Sequence, residues 1–347
     1  MSKLRYDGRR LDITADTAIS TLAGILQGCG CNERVARMVA EHLADASLCG
    51  IESHGLMRVI QYHDQFGNGT MRATASAQYN RLPSGGHEID GNHGIGIPAM
   101  RLAIEYGCRI AEDNGISAIA IRNTGHTGRL GAFAELAAEL GFLTIMMGGG
   151  NRKTWRQVAP YGGRQAMLPT NPYCIGIPGG ERGSVVLDFA TSKIAGGWIY
   201  AAQSAGALLP AGAIIDAAGN PSVDPQDYFN GGAILPAGGA KGYALALMAE
   251  LIAEAMLGPA TTECNWLLIT LRTSLYRDTS TMQKIAEEIL DEIRHCPPSP
   301  GFDRVEIPGE REREHRRKAN GVIAVPELTW QQILALADKM VNPARSL

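Results

Sequence analysis

The chain is short of several things, and each shortage closes a class of function. No apolar run approaches the ~20 residues that a membrane span needs, and Met1 to Arg10 holds no apolar core of the kind that marks a signal peptide. The expectation is therefore a cytoplasmic protein with no membrane partner. Lys and Arg number 32 against 35 Asp and Glu, a net charge of −3, so no excess of positive charge points to nucleic acid. The seven cysteines are odd in number; Cys29 and Cys31 form a C-x-C, but no second pair completes a zinc box. The eight histidines include no H-x-x-x-H, so the metal expectation is none. Aromatics are only 6% of residues. The dinucleotide fingerprint G-x-G-x-x-G is also missing, which leaves a standard Rossmann domain unsupported. There is no internal repeat and no low-complexity tract.

What remains is glycine-rich and regular. With 347 residues and 42 glycines, the chain can build two or three units rich in tight turns. Asn32 caps a helix with apolar positions Val35, Val39, Leu43 and Leu48, followed by Gly50. A second amphipathic stretch spans about Met57 to Phe66. Thr70 to Asp90 is polar and turn-rich. A helix with Pro98 in its first turn runs to about Asp113. Ser117 to Ile121 reads as a buried strand, Ala132 to Leu140 as a helix closed by Gly141, and Phe142 to Met147 as a strand ending in Gly148-Gly-Gly150. Extended segments near Leu168–Ile177 and Ser184–Phe189 come next, then a helix carrying Trp198 that Thr191 or Ser192 caps. Gly231 to Gly242 is a glycine-rich loop before an apolar helix, Tyr243 to Leu257. A strand at Trp266–Leu271 and a helix at Thr281–His295 follow. Beyond a loop to Gly309, the charged tail from Glu310 becomes helical through Trp330 to Met340. Alternating strands and helices predict a mixed α/β core with helical segments at both ends.

Four clusters carry chemistry. In Ser53-His54-Gly-Leu-Met-Arg58, a helix starting here would put His54 and Arg58 four apart on one face, a receptor for a carboxylate with Ser53 as a further donor. The plainer alternative is a helix cap followed by two exposed polar side chains. His126 stands in a turn with Gly125, Gly128 and Gly131, between strand and helix. There it is either a general acid–base or a turn histidine bonded locally. Lys241, at the start of an apolar helix after Gly238 and Gly239, opposes the helix dipole, which an anion held there would relieve; otherwise it is a solvated lysine after a turn. Asp188 follows three apolar strand residues and reads as partly buried. Its partner is then a histidine or the backbone donors of the following helix. The mixed-sign run Arg311 to Lys318 reads as a solvated helix face.

Several motifs occur together and in order: Glu52-Ser-His-Gly-Leu-Met-Arg58, Gly125-His-Thr-Gly-Arg-Leu-Gly131, Val158-Ala-Pro-Tyr-Gly-Gly163, Thr170-Asn-Pro172, Val186-Leu-Asp-Phe-Ala-Thr-Ser192, Leu235-Pro-Ala-Gly-Gly-Ala-Lys-Gly-Tyr243 and Ile307-Pro-Gly-Glu310. Over nearly its whole length the chain resembles the malate/L-lactate dehydrogenase family of NAD(P)-dependent 2-hydroxy-acid oxidoreductases, with its sulfolactate, ureidoglycolate and diketogulonate enzymes and its cyclic imino acid reductases. The resemblance implies an α/β fold with a non-Rossmann mixed-sheet cofactor domain, at residues 76–275. It also implies a helical domain built from both chain ends, residues 1–75 and 276–347, and a homodimer or higher homo-oligomer. It implies NAD or NADP as cofactor and a small-molecule substrate, a 2-hydroxy or 2-oxo acid or, alternatively, a cyclic imino acid; an inactive cofactor-binding relative is the third reading. It places His126 as the proton-transferring residue, with His54 and Asp188 also in the catalytic set, and Ser53, His54 and Arg58 on the substrate. On the cofactor it places Gly150, Asn151, Asn171, Asp188, Phe189, Ala190, Lys241 and Gly242. Two positions depart from the family pattern: Gly149 stands where an asparagine is usual, and Ala244 where glycine is common.

Overall fold

A computed structural model describes residues 8–341. In chain order, strand β1 (Arg10–Thr14) leads into helices α1 (Ala15–Gly28) and α2 (Glu33–Leu48). A 3-10 turn (Glu52–His54) precedes α3 (Arg58–Gly67). Then come β2 (Gln78–Arg81), β3 (His87–Gly94), α4 (Gly96–Asn114), β4 (Ile116–Thr124), α5 (Leu130–Glu139), β5 (Phe142–Gly149), β6 (Pro172–Ile177) and β7 (Val185–Ala190). After α6 (Gly196–Ala205) follow β8 (Ile214–Ile215), β9 (Pro221–Ser222), α7 (Pro225–Phe229), β10 (Ala233–Ile234) and α8 (Ala240–Glu250). A π-helical turn (Leu251–Met256) extends α8. The chain then forms β11 (Cys264–Arg272), α9 (Thr279–Arg294), α10 (Glu310–Ala319), β12 (Val322–Pro326) and α11 (Glu327–Val341). A seven-stranded sheet has the order β2-β3-β4-β11-β5-β6-β7; β2 is antiparallel to β3, and β3 is parallel to β4. The architecture is mixed α/β, as expected. Among the described residues no helix is long and apolar enough to cross a membrane.

The described residues form two compact units. One comprises Met146–Tyr173 and Asp188–Leu267; the other comprises Gly8–Ile145, Cys174–Leu187 and the chain from Leu268 onward. The second is larger, and its helices form for reasons visible in the sequence. Asn32 caps α2 by accepting the Val35 N–H at 2.9 Å, and α2 buries Ala36, Val39, Ala40 and Leu43 at helical spacing. Helix α1 packs on α2, α3 and α11, burying Leu22, Ile25 and Leu26. The two ends of the chain meet as strands: β1 and β12 pair antiparallel, with Leu11 opposite Val325 and Ile13 opposite Ile323. Neither strand was expected from the sequence, because five-residue strands flanked by strong helices leave too short an alternation to read.

In the smaller unit, β10, β8 and β9 form a three-stranded sheet. It lies in a core of Val158, Leu168, Ile194, Ile199, Leu209 and Ile214, with Trp198, Tyr228 and Tyr243 packed against it. The expected capping of the Trp198 helix is not what forms. Helix α6 starts at Gly196 after Ala195 with no side-chain cap. Thr191 Oγ1 instead donates to Thr170 O at 2.9 Å, and Ser192 Oγ to Ile194 O at 2.8 Å. Strand β7 runs on to Ala190, so both hydroxyls are spent tying the strand's exit to its neighbours.

One charged network in the larger unit is worth a measurement. Arg129, only 4% exposed, lies at 2.9 Å from Asp45 and 3.0 Å from Glu135, and Glu135 also takes Arg316 of α10 at 3.0 Å. Removing Glu135 leaves the buried guanidinium with the partly exposed Asp45 alone. Glu135→Ala should therefore lower unfolding free energy by about 3–5 kcal/mol, read from urea denaturation. A loss below about 1 kcal/mol would show that solvent already compensates Arg129.

Candidate active site

Strand β4 delivers the chain to Gly125 and His126, and three bonds from three elements hold them. The Gly125 N–H donates to Gly94 O at the end of β3, 2.8 Å away. The Gly96 N–H, first in α4, donates to His126 O at 3.0 Å. Helix α4 has no side-chain cap, so this carbonyl does the capping. The third bond is to the ring: Tyr62 Oη lies 2.8 Å from His126 Nδ1. The Gly128 N–H also points at Nδ1, at 3.3 Å. Gly128 can only donate, which puts the ring proton on Nε2, whereas the Tyr62 hydroxyl can donate or accept and so can serve either tautomer.

The glycines are required by proximity. A Cβ on Gly96 would lie 2.5 Å from Gly125 O, and one on Gly128 would lie 2.2 Å from His42 Nε2; Gly128 also sits at φ +75°. Gly131 has a different role, inside the first turn of α5.

Ser53, His54 and Arg58 come to the same unit as His126. The His54 and His126 rings lie 5.2 Å apart, centroid to centroid. The route differs from the expected one. Glu52–His54 is a 3-10 turn and Arg58 is the first residue of α3, so no single helix face carries both side chains. The turn is instead closed by Arg58 itself, whose Nε donates to Ser53 O at 2.5 Å and whose Nη1 donates to Gln61. Ser53 Oγ is bonded to His54 Nδ1 at 2.9 Å. Thus both histidines have Nδ1 engaged by protein.

Burial is the main cause that pushes the His126 pKa well below the ordinary histidine range, with Arg58 next and then His54 and His42. His54 falls to about 3 by burial and then Arg58, and His42 to about 3 by burial and then Arg129. His42 accepts the Arg129 N–H at 2.9 Å and stacks on Phe133.

The other expected residues lie in the smaller unit. Asp188 is exposed near the end of β7, which corrects the reading that its apolar neighbours bury it; Leu187 beside it is exposed too. An edge strand has neighbours on one side only, so apolar flanks do not imply cover. Phe189 stacks with Tyr173 at 6.0 Å, and Ala190 ends the strand. Lys241 is exposed in the first turn of α8, after Gly238 and Gly239 in positive φ. Gly242 beside it is buried so tightly that a Cβ would meet Ala237 O at 2.0 Å.

Gly150 has φ +95°, and its N–H donates to Glu250 Oε2 at 3.0 Å. Asn171, wholly buried, donates from Nδ2 to Glu250 Oε1 at 2.8 Å. Here the departure at Gly149 finds its cause. A Cβ there would lie 2.8 Å from Asn171 Nδ2 and 3.0 Å from Glu250 Oε1, so the Asn171–Glu250 pair occupies the space of a side chain. Asn151 and Asn171 are both buried, and the Oδ1 of each accepts no hydrogen bond from protein. Orphaned acceptors suit a ligand with amide donors, and the open glycines before Lys241 suit an anion. A nicotinamide dinucleotide has both features, so these residues fit it.

Tyr62 and Glu250 were missed from the sequence, though each left a trace. Tyr62 is four residues from Arg58 on a helix, and Glu250 is a carboxylate inside an apolar run.

Comparison with known proteins gives a consistent answer. A family model described as malate/L-lactate dehydrogenase matches residues 13–334. The L-lactate dehydrogenase of Cupriavidus necator is 31% identical over 320 residues, covering 88% of this chain and 91% of that one. The Δ1-pyrroline-2-carboxylate/Δ1-piperideine-2-carboxylate reductase of Pseudomonas putida is 37% identical over 239 residues, 69% of each chain. Among solved structures, sulfolactate dehydrogenase from Methanocaldococcus jannaschii superposes with a TM-score of 0.84 at 27% identity, covering 95% of this chain and 98% of that one.

The depressed histidines make stability depend on pH. Unfolded histidine titrates near 6.5, while His42 and His126 stay neutral when folded. The unfolded state therefore binds more protons from about pH 6.5 down to about 3, and stability falls as pH drops through that window. The urea midpoint should fall between pH 7.5 and pH 5, and fall less in His42→Gln, whose amide oxygen can still accept the Arg129 N–H. An unchanged pH slope in that variant would remove His42 from the account.

Proposed function

This chain belongs to the malate/L-lactate dehydrogenase family, and we propose that it moves a hydride between NAD or NADP and C2 of a 2-hydroxy or 2-oxo acid. It is an oxidoreductase by family. The observation that carries the finer reading is a buried imidazole, His126, with Nδ1 engaged by Tyr62 and with the positive field of Arg58 acting on it.

Arg58, with His54 and Ser53 beside it, takes the substrate carboxylate; the guanidinium fork matches two carboxylate oxygens, and the neutral Gln61 and Ser53 carbonyl partners give way to a charged one. The nicotinamide, when bound, supplies the hydride in reduction and accepts it in oxidation. Gly150, Asn151, Asn171, Asp188, Phe189 and Ala190 are the residues that would hold it, and Lys241 with Gly242 at the start of α8 suits its phosphate. The absence of G-x-G-x-x-G supports a non-Rossmann mode of binding.

His126 manages the proton. In oxidation the neutral ring takes the hydroxyl proton at Nε2; for this its own proton must move to Nδ1, where Tyr62 Oη accepts it and the longer Gly128 N–H contact is given up. In reduction the imidazolium protonates the developing alkoxide. Burial and the field of Arg58 disfavour that charge, and a carboxylate on Arg58 cancels part of that field. Binding of an oxo acid thus promotes uptake of the proton the reaction needs.

A second reading has a specific observation behind it, the 37% identity to the cyclic imino acid reductase. The same Arg58 would hold a carboxylate next to C=N. A cyclic imine can arrive already protonated on nitrogen, so its reduction makes less demand on His126.

The chain's organisation and assembly complete the proposal. The β1–β12 pairing and the packing of α11 on α1 and α3 support a helical domain from residues 1–75 and 276–347, with an α/β domain at 76–275. Leu245, Met248, Leu251 and Met256 are exposed on and just after α8, a helix apolar all round, which supports a homodimer or larger homo-oligomer. All seven cysteines are free, which supports a reducing, cytoplasmic setting.

Activity should be assayed by reduced-nicotinamide absorbance with NADH and NADPH against pyruvate, oxaloacetate and Δ1-piperideine-2-carboxylate. Against an oxo acid, His126→Ala should lower turnover by about 100- to 10,000-fold, and less than about 10-fold would sink its assignment. Arg58→Lys should chiefly raise KM, because a point charge cannot replace the fork. A far smaller His126→Ala effect on the cyclic imine, together with its preference as substrate, would select the second reading.

A further inference from the structure

Glu250 is a carboxylate where carboxylates are rare. It ends α8 inside an apolar segment, is 4% exposed, and is followed at once by the π-helical turn. Both oxygens are engaged: Oε2 by the N–H of Gly150, and Oε1 by Asn171 Nδ2. Burial pushes its pKa up, while Asn171 and the Gly150 N–H pull it back.

The consequence falls on Asn171. An ionised carboxylate only accepts, so the Asn171 amide can face Glu250 only with its nitrogen. The same NH2 group also lies 3.4 Å from Gly148 O. The amide is therefore oriented by its partners, with Oδ1 turned away from them. That oxygen, like Asn151 Oδ1, accepts nothing from protein. The backbone just before Asn151 is braced as well: Gly150 has φ +95°, and its carbonyl accepts the Ala260 N–H at 3.0 Å.

We propose that Glu250 is a positioning residue that makes this site select a carboxamide over a carboxylate on the cofactor's pyridine ring. It does so by turning the Asn171 amide so that Oδ1, with Asn151 Oδ1, is the acceptor for an amide NH2. It also places a carboxylate directly behind Asn171, whose negative charge repels an acid in the amide's place. The inference rests on the nicotinamide reading above and adds what distinguishes the amide from its acid.

The test is a binding titration, followed by intrinsic tryptophan fluorescence, of the full chain with NAD, NADP and their deamido forms, which carry nicotinic acid. The wild-type protein should bind the amide form at least about 100-fold more tightly, two interactions each contributing about a factor of ten. In Glu250→Gln one of the two former donors meets a new N–H, the Asn171 amide is free to turn over, and the charge is gone. The preference should then fall at least 10-fold, mainly through tighter binding of the deamido form, with circular dichroism and thermal midpoint reporting an intact fold. Equal binding of amide and acid forms by the wild-type protein would overturn the proposal even if the variant cannot be made. An unchanged preference in a folded Glu250→Gln would overturn it too. A wild-type protein that binds neither NAD nor NADP would instead overturn the nicotinamide reading itself, and this inference with it.

Discussion

The backbone carbonyl of His126 caps helix α4, and the β3–α4 and β4–α5 connections meet at that bond. A 19-residue helix begins with unpaired N–H groups, and a residue at the end of a neighbouring strand satisfies the first of them. For this the β3–α4 and β4–α5 connections must touch at the level of backbone. Glycine at 96 is the result, since a Cβ there would lie 2.5 Å from Gly125 O; at 94 and 125 a Cβ would meet the side chains of Ala75 and Met71. Three other residues, Asn92, His93 and Asn123, take positive φ beside the contact, a strained conformation for residues with side chains. The backbone at His126 is thus set by a helix end and a strand end, and its ring by Tyr62 from a third element.

Charge is handled in two opposite ways within the same unit. Around Arg129 the protein compensates: Asp45 and Glu135 hold the buried guanidinium, and Arg316 joins from α10. Around His126 it withholds compensation. Burial and the field of Arg58 both keep the imidazole neutral. In the proposed reaction a carboxylate at Arg58 would change the charge balance at His126, which would make recognition of substrate and readiness for proton transfer one electrostatic event. The smaller unit uses a third device. Glu250 is a buried carboxylate satisfied by two neutral donors, one of which is the Asn171 amide.

Much of this was legible, and the exceptions have identifiable causes. Helix α2 could be read from Asn32 and its apolar spacing, because capping and periodicity are local. The strand–turn–helix around His126 was equally plain from its β-branched run and its glycines. The spatial relation of His54 to Arg58 was not, because the 3-10 turn Glu52–His54 ends in an extended Gly55 before α3 begins, and shared helix-face arguments fail across such a break. Asp188 was misjudged as partly buried because apolar neighbours in sequence say nothing about which strand lies at a sheet edge. Strands β1 and β12 were invisible for a related reason: each is stabilised by the other, more than 300 residues away in sequence.

The sequence by itself determined the family, the order of the motifs and the residue types that do chemistry, since these are properties of composition and local spacing. Tertiary structure alone decided their states. Whether a histidine is charged, which way an asparagine amide faces, and why glycine must stand at 149 all depend on atoms brought from distant parts of the chain. Burial, field and hydrogen-bond direction are properties of a packed site, and no local pattern encodes them.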